Sequence, residues 1–229
     1  MRSIPHALLF TICLSVSGPA LHAQELPARP DRTAIRTLHY RQIDESWRAA
    51  APDQRFIREL IVDSGGFGGK ERIETKQSGL YSPEHTITIL IYDASSEFHR
   101  IQYTLDPKKK VAIRGAALPT GTYGDHIDLF LRHCPTFVDT QFQDLGEERI
   151  GEVLAKGFQA DSQEWWLTVR DGFWIPVRHR LLPSADSDMY DDTRIFDVVI
   201  NQPLEPSLFD VPRDYTIQEA NGPLLNTNP

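Results

Sequence analysis

A glycine-rich stretch followed by a lysine, at residues 64–71, has the composition of a phosphate-binding loop. Such a loop requires four residues between its glycines and a Ser or Thr after its lysine, because backbone amides surround the phosphates and the hydroxyl binds the metal ion. Only three residues separate Gly65 from Gly69, and Lys70 is followed by Glu71, whose carboxylate would repel a phosphate. The spacing therefore argues against nucleotide binding and favours a turn, in which glycine adopts positive φ without a steric penalty.

Two other clusters contain residue types that bind metal ions. The acidic loop from Asp186 to Asp192 offers the hard oxygen ligands that Ca²⁺ prefers, but it lacks the glycine and the glutamate of an EF-hand. His126, His133 and Cys134 could bind zinc, yet Cys134 belongs to the apolar side of a predicted helix, and no second cluster has metal-ligand spacing. The sequence predicts no metal site and no cofactor, and it predicts an exposed turn for the acidic loop.

Residues that could catalyse a reaction are not arranged in a recognisable motif. The chain has no Gly-x-Ser-x-Gly elbow and no metalloprotease histidine motif. The adjacent carboxylates Glu147 and Glu148 would face opposite sides of a strand. We therefore predict no catalytic residues and a non-enzymatic protein. An enzyme remains a third class, which a hydrolytic activity screen would detect.

The first 23 residues have the features of a secretory signal peptide. A basic start at Arg2 precedes an apolar run of about ten residues, and Ala23 provides a small residue at the cleavage point. The run is too short to cross a bilayer, which takes about 20 apolar residues, so we predict no integral membrane span. The predicted location is the periplasm, or the exterior of a cell without an outer membrane. The expected organisation is a signal peptide at 1–23, a flexible lead-in at 24–32, a single domain at 33–218 and a loose tail at 219–229.

Charge and cysteine content exclude further classes of protein. The formal net charge of −8 opposes nucleic-acid binding, which needs a basic face. Cys134 is the only cysteine outside the predicted signal peptide. A lone thiol of this kind is most often a small buried apolar side chain, so we expect Cys134 in the core.

Alternation of polar and apolar residues predicts a largely antiparallel β protein. Residues 35–47 fit a helical face in part, and we predict a helix there, although the same residues also allow a strand. Residues 56–62 alternate with period two and lead through the glycine cluster into residues 72–76, which predicts a hairpin. An antiparallel meander follows, with strands predicted at 86–92, 100–105 and 111–114.

One amphipathic helix and a second hairpin complete the predicted elements. The helix places Ile127, Phe130, Leu131 and Cys134 on one face, with Asp125 as its N-cap and Pro135 beyond its end. The hairpin pairs two strands around an Asp-Gly turn, and a further strand follows the acidic loop. The ranges of these strands are 164–170, 173–180 and 194–200.

Several predicted strands carry apolar residues on both faces, as Ile87 and Leu90 illustrate. Such a sheet must be covered on both sides or must line a cavity. A core filled by its own side chains and an apolar groove for acyl chains remain equally open. For the groove, we expect the lining to include Ile89, Ile91, Tyr103, Phe130, Trp165, Trp174 and Phe196.

Two stretches near the C-terminus form a distinctive pattern. They are Gly172-Phe-Trp-Ile-Pro176-Val-Arg178 and the segment that carries Asn201-Gln-Pro-Leu204, Ser207-Leu-Phe209, Pro212 and Tyr215. This pattern resembles the closing strands of periplasmic proteins of the outer-membrane lipoprotein-sorting (LolA/LolB-like) superfamily. The stretch from Tyr103 to Arg114 also resembles uncharacterised secreted bacterial proteins with the same ending.

The resemblance implies a fold and a role. The implied fold class is α+β and β-rich, with a curved antiparallel sheet that forms an incomplete barrel and helices that cover its concave face. The implied role is to bind the acyl chains of lipoproteins or other lipids, or to sense envelope stress. We therefore expect a binding protein for an apolar ligand, an acyl chain or lipid, with a role in lipoprotein or lipid trafficking. The alternative is an envelope sensor or assembly protein that has a filled core and contacts another envelope protein.

Overall fold

The computed structural model describes residues 31–66, 69–79, 84–92, 99–115, 118–119, 126–135, 142–170 and 173–220. The predicted signal peptide, nearly all of the predicted lead-in and most of the predicted tail lie outside these residues. Asp125 and the turn at 171–172 also lie outside them.

Within the described residues, thirteen strands form one sheet. Its spatial order is β13-β6-β5-β4-β3-β2-β1-β12-β11-β10-β9-β8, and β7 pairs with β5 beside this path. Neighbouring strands are antiparallel except β13 and β6, which are parallel. The strands are β1 (Leu38–Arg48), β2 (Ala51–Ser64), β3 (Glu71–Gly79), β4 (Glu84–Tyr92), β5 (His99–Asp106), β6 (Val111–Arg114), β7 (Leu118–Pro119), β8 (Gln143–Ile150), β9 (Val153–Ala160), β10 (Gln163–Arg170), β11 (Phe173–Leu181), β12 (Met189–Ile200) and β13 (Thr216–Glu219).

The sheet is curved and open, and it does not close into a barrel. This confirms the predicted β-rich, antiparallel incomplete barrel. Helical structure is sparse in the described part of the chain: one α-helix, α1 (His126–Arg132), and two 3₁₀ turns, Arg32–Ala34 and Pro206–Phe209. That helices cover the concave face stays a prediction.

The helix predicted at residues 35–47 is wrong, because most of this stretch is β1. Strand β1 lies in the middle of the sheet and pairs with both β2 and β12. Its buried positions alternate as Leu38, Tyr40, Gln42 and Asp44. Pairing on both edges satisfies the backbone hydrogen bonds of this segment, and that tertiary contact outweighs a weak local helical preference.

The remaining predicted elements are confirmed. Strands β2 and β3 form the hairpin across the glycine cluster, and β10 pairs with β11 in the Trp-rich hairpin. Strands β4, β5 and β6 form the meander. Helix α1 buries Ile127, Phe130 and Leu131, as the helical spacing predicted. Cys134 is buried, and its thiol donates to the carbonyl oxygen of Trp174 at 3.7 Å.

Apolar side chains pack on both faces of the sheet. On one face, the buried residues of α1 join Leu38, Tyr40, Val62 and Ile73 in the largest cluster. On the opposite face, a cluster around Ile89, Leu105 and Ala112 packs against Val211 and Tyr215. The segment that follows β12 therefore covers the second face of the meander. Aromatic residues of β9, β10 and β11 form a separate cluster with Phe158, Trp165 and Trp174.

The turn between β2 and β3 requires glycine at residue 66. Gly66 has φ +94°, and a Cβ atom there would lie 2.3 Å from the carbonyl oxygen of Arg36. The neighbouring Gly65 amide donates to the Lys70 carbonyl oxygen at 2.8 Å and closes the loop. The glycine cluster thus shapes a hairpin.

We expect Gly66→Ala to lower the free energy of unfolding by at least about 2 kcal/mol, because it adds a backbone clash to the strain of positive φ. Gly151→Ala is the matched control. Gly151 has φ +60° but no atom within 4 Å of its Cβ position, so we expect a loss of only about 1 kcal/mol. Urea denaturation of the two variants measures the difference. Equal losses would contradict this account of the turn.

Candidate functional site

A cavity of about 850 Å³ lies between α1 and one face of the sheet. Strands β1 to β5 form its floor, and β11 and β12 contribute one side. Its volume falls within the range of about 300–1,000 Å³ that is usual for small-molecule sites. It is therefore the candidate ligand site within the described residues.

The strand register arranges the lining side chains in three cross-strand rows. The row beside α1 runs through Tyr40, Ile73, Thr88 and Thr104. The middle row runs through Gln42, Leu60, Thr75 and Thr86, and the outer row through Asp44, Arg58, Gln77 and Glu84.

Polarity and exposure both increase from the inner row to the outer row. Tyr40 and Ile73 are buried, Thr75 and Gln77 are partly buried, and Glu84 is exposed. Leu90 and Leu129 extend the apolar part of the lining near α1. The cavity is therefore amphipathic along the strands. The expectation of an apolar groove is corrected, because alternate positions of β1, β3 and β4 place Gln and Thr side chains on this face.

Asp44 is the centre of the outer row. Its Oδ1 accepts hydrogen bonds from Gln42 Nε2 at 2.7 Å and from Thr193 Oγ1 at 2.8 Å. Its Oδ2 accepts two from Arg58, at 3.0 Å from Nε and 2.8 Å from Nη2. The carboxylate is thus neutralised and satisfied by β2 and β12, and Arg58 is held with its Nη1 group not used by this pair.

A buried carboxylate fixes the start of α1. Glu71 is 1% exposed and accepts from the His126 amide at 3.2 Å and from His126 Nδ1 at 3.1 Å. Arg100 Nη1 lies 3.5 Å from the same carboxylate. Burial opposes the charged form of Glu71, but the hydrogen bonds and charge of His126, together with Arg100, outweigh it and lower the pKa of Glu71. The helix that roofs the cavity is therefore tied to β3.

Two histidines meet on the cavity wall where α1 approaches β11. The Nδ1 atoms of His133 and His179 are 3.2 Å apart, and His179 Nε2 lies 3.2 Å from Gln163 Oε1. The His179 ring also stacks on Trp165 at 5.5 Å between centroids. Burial lowers the pKa of both imidazoles, and the charge of His133 contributes to lowering that of His179 to about 4. Both rings are accordingly neutral at pH 7.

The structure places the seven predicted cavity residues outside this lining. Phe130 supports Tyr40 from within the core, with 5.3 Å between ring centroids, and Trp165 supports His179. Ile89, Ile91 and Tyr103 lie in the cluster on the opposite face of the sheet. Trp174 packs in the same cluster as Trp165, and Phe196 belongs to β12. That these seven side chains contact a ligand stays a prediction.

Sequence reasoning missed the polar lining residues, although a signal for them exists. In β4 the order Thr86-Ile-Thr-Ile-Leu places threonines and isoleucines on opposite faces. The isoleucines were assigned to the cavity because they are apolar. Since Val211 and Tyr215 cover the isoleucine face, the threonine face is the one that remains open.

The acidic loop does not gather into a metal site within the described residues, where no group of three or more potential ligands occurs. Asp191 and Asp192 belong to β12 and not to an exposed turn, which corrects the prediction for this end of the loop. Asp192 is buried and accepts from Arg178 Nε and Nη2 at 2.8 Å and 2.7 Å. Its carboxylate thus has a structural partner.

None of the helices among the described residues has the length and apolar character needed to cross a membrane.

No protein-family model matches the sequence, and no curated protein matches it. A solved DUF1329 family protein from Desulfovibrio piger is similar at 11% identity and a TM-score of 0.41, covering 78% of this chain and 91% of that chain. A LolA superfamily protein from Nitrosomonas europaea is similar at 10% identity and a TM-score of 0.40, covering 80% and 92%. A domain described as an outer-membrane lipoprotein-sorting protein, from Vibrio parahaemolyticus, has 12% identity, a TM-score of 0.31 and coverage of 76% and 88%.

The names of the second and third of these structures contain terms of the superfamily that the C-terminal pattern resembles. At these identities and TM-scores, the similarity transfers no ligand, partner or residue role to this chain.

The neutral His179 predicts a dependence of stability on pH. Because its pKa is about 4 in the folded chain and 6.5 as the ordinary value, the unfolded chain binds more protons between these limits. The contribution of His179 to the free energy of unfolding is therefore fully present above pH 6.5, and it is lost as the pH falls from about 6.5 to about 4. We expect this loss to be on the order of 3 kcal/mol.

Urea denaturation at several pH values, on the wild type and His179→Gln, measures this contribution. The variant lacks the titrating ring, so its free energy of unfolding should fall less steeply over that pH range. Identical slopes for the two proteins would show that His179 is not held neutral in the fold.

Proposed function

We propose that this chain is an exported, non-enzymatic binding protein that holds one amphiphilic ligand, a lipid or another molecule with an acyl chain, in the cavity under α1. The observation that carries the proposal is the amphipathic cavity of about 850 Å³, apolar beside α1 and charged at its exposed end. Export follows from the predicted signal peptide at 1–23, and the proposed location is the periplasm.

The apolar end of the cavity fits an acyl chain. Tyr40, Leu60, Ile73, Leu90 and Leu129 line it, and the aromatic and aliphatic core behind them is closed. Burial of apolar surface contributes about 25 cal/mol per Å². The walls are held by strand pairing and by the contact of Glu71 with His126, so that little ordering is needed when a ligand enters.

The polar end fits the head of the same molecule. Threonine hydroxyls and glutamine amides from β3, β4 and β5 face the cavity, and Arg132 of α1 forms no ion pair within the described residues. Such groups hydrogen-bond a polar head, whereas a simple alkane would leave them without partners. An amphiphile therefore satisfies both ends at once.

A binding role is also favoured by the state of the ionisable groups. Asp44 is paired with Arg58, and His126 is paired with Glu71. The thiol of Cys134 donates to a backbone carbonyl instead of facing the cavity. These two ion pairs and this thiol are therefore engaged in holding the fold.

The proposal also includes a trafficking role, in which the protein carries the ligand between membranes. In this picture α1 is the described part of a cover over the concave face. The predicted alternative is an envelope sensor or assembly protein that has a filled core and contacts another envelope protein, and a cavity of this size does not support a filled core.

Native mass spectrometry of the protein purified from a bacterial periplasm, followed by organic extraction, tests the proposal. We expect one co-purifying lipid per chain. A clean protein mass that stays unchanged after incubation with mixed lipids would contradict the proposal and favour the envelope-protein alternative.

A variant that blocks the cavity localises the ligand. Thr88 lies between Ile73 and Thr104 in the inner row, so Thr88→Trp should fill the space and reduce lipid occupancy at least about tenfold. Thr216→Trp, at an exposed position of β13, is the matched control and should keep the occupancy of the wild type. Quantification of the lipid extracted from each variant measures the effect. Unchanged occupancy in Thr88→Trp would place the ligand elsewhere.

A further inference from the structure

A hydrogen-bonded chain of three side chains ends at the cavity. It begins at Gln163 Oε1, which lies 3.2 Å from His179 Nε2, and continues from His179 Nδ1 to His133 Nδ1 over 3.2 Å. Gln163 lies outside the lining, whereas His179 and His133 belong to it. The three residues come from β10, β11 and the turn that directly follows α1, so that the fold itself sets their alignment.

The donor and acceptor order of these two hydrogen bonds follows from Gln163. A carbonyl oxygen only accepts, so His179 must donate from Nε2. A neutral imidazole carries one N–H group, which leaves a lone pair on His179 Nδ1. His133 therefore donates from its own Nδ1, and its Nε2 carries a lone pair. Burial, which lowers the pKa of both histidines, supports the neutral forms that this order requires.

His133 Nε2 has no hydrogen-bond partner within the described residues, and the His133 side chain lines the cavity. A ligand that displaces water from this acceptor without supplying a donor would leave it unpaired, which costs free energy, whereas a ligand donor avoids that cost. The ring is held on its other side by His179, which in turn stacks on Trp165. The lone pair is therefore fixed in place before a ligand arrives.

Other hydrogen-bond acceptors in the lining could also accept from a ligand. Gln102 is 2% exposed, and its Oε1 has no hydrogen-bond partner. The carboxylates of Glu84 and Asp191 line the cavity and form no ion pair within the part of the chain that the structure describes. The lining thus presents acceptors of this kind at both ends.

From this arrangement we propose that the cavity selects amphiphiles whose polar end carries an O–H or N–H donor, which His133 Nε2 accepts. The inference rests on the proposed function, because it names the chemical class of the ligand in the same cavity. Hydroxyl-bearing heads such as a glycerol, and amine-bearing heads, belong to this class. Fatty esters without a donor do not.

Two probes with the same acyl chain test this selection on the mature wild-type protein after removal of bound lipid. They are 1-monopalmitoylglycerol, which has two hydroxyl groups, and methyl palmitate, which has no donor. We expect the glycerol ester to bind at least about tenfold more tightly, because only it supplies His133 Nε2 with a donor once the ligand has displaced water from the cavity. Equal affinities would overturn the inference while leaving the proposed function intact, and failure of both probes to bind would count against both.

His133→Phe removes the acceptor and keeps a ring of similar shape. We expect this variant to retain methyl palmitate binding and to lose most of its preference for the glycerol ester, to within about twofold. His85→Phe is the control, since His85 lies outside the cavity lining and should keep the preference of the wild type. A full preference retained in His133→Phe would overturn the inference.

The tautomer of His133 provides a readout that needs no ligand. Long-range ¹H–¹⁵N correlation spectra should show the His133 proton on Nδ1, and Gln163→Glu should preserve it there because a carboxylate also only accepts. Gln163→Leu removes the acceptor that makes His179 donate from Nε2, so the His133 proton should no longer be confined to Nδ1. A proton on Nε2 of His133 in the wild type would mean that His133 Nε2 is a donor and not an acceptor, and this would overturn the inference.

Discussion

The carboxylate of Asp44 joins three strands at the centre of the sheet. It accepts from Arg58 on β2, from Thr193 on β12 and from Gln42 on its own strand, β1. A buried charge that loses its partners costs about 3–5 kcal/mol, and a register shift of one residue would turn every side chain of β1 to the other face. This interaction therefore holds the register on which the cavity rows depend. With that register, the same strands place Tyr40 and Ile73 beside α1 and place Arg58 and Gln77 at the exposed end.

The two faces of the sheet have different roles because different segments cover them. The C-terminal segment packs Val211 and Tyr215 against the meander on one side. On the other side, α1 is a helix of only seven residues, and it touches the sheet through Ile127, Phe130 and Leu131. Because this roof is small, the polar positions of β3, β4 and β5 beside it remain open, and they form the part of the cavity that meets the polar end of a ligand.

Local patterns predicted the hairpins, the meander and α1, since each depends on neighbouring residues or on a period that the sequence displays. Three features depend on distant contacts and were not predicted. The helix expected at residues 35–47 became β1, because β12, about 150 positions later in the chain, pairs with it. The cavity was assigned to the apolar face of β4, around Ile89, but only the later packing of Val211 and Tyr215 decides which face is covered. The His133 and His179 pair likewise joins residues 46 positions apart, and no spacing rule would have connected them.

A crystal structure of the protein purified from a bacterial periplasm, without removal of bound lipid, tests the central claim most directly. The account predicts continuous density for an acyl chain against Leu60, Ile73 and Leu90, with a polar group within hydrogen-bond distance of His133 Nε2. A cavity that contains only water, or one that the protein's own side chains fill, would contradict it.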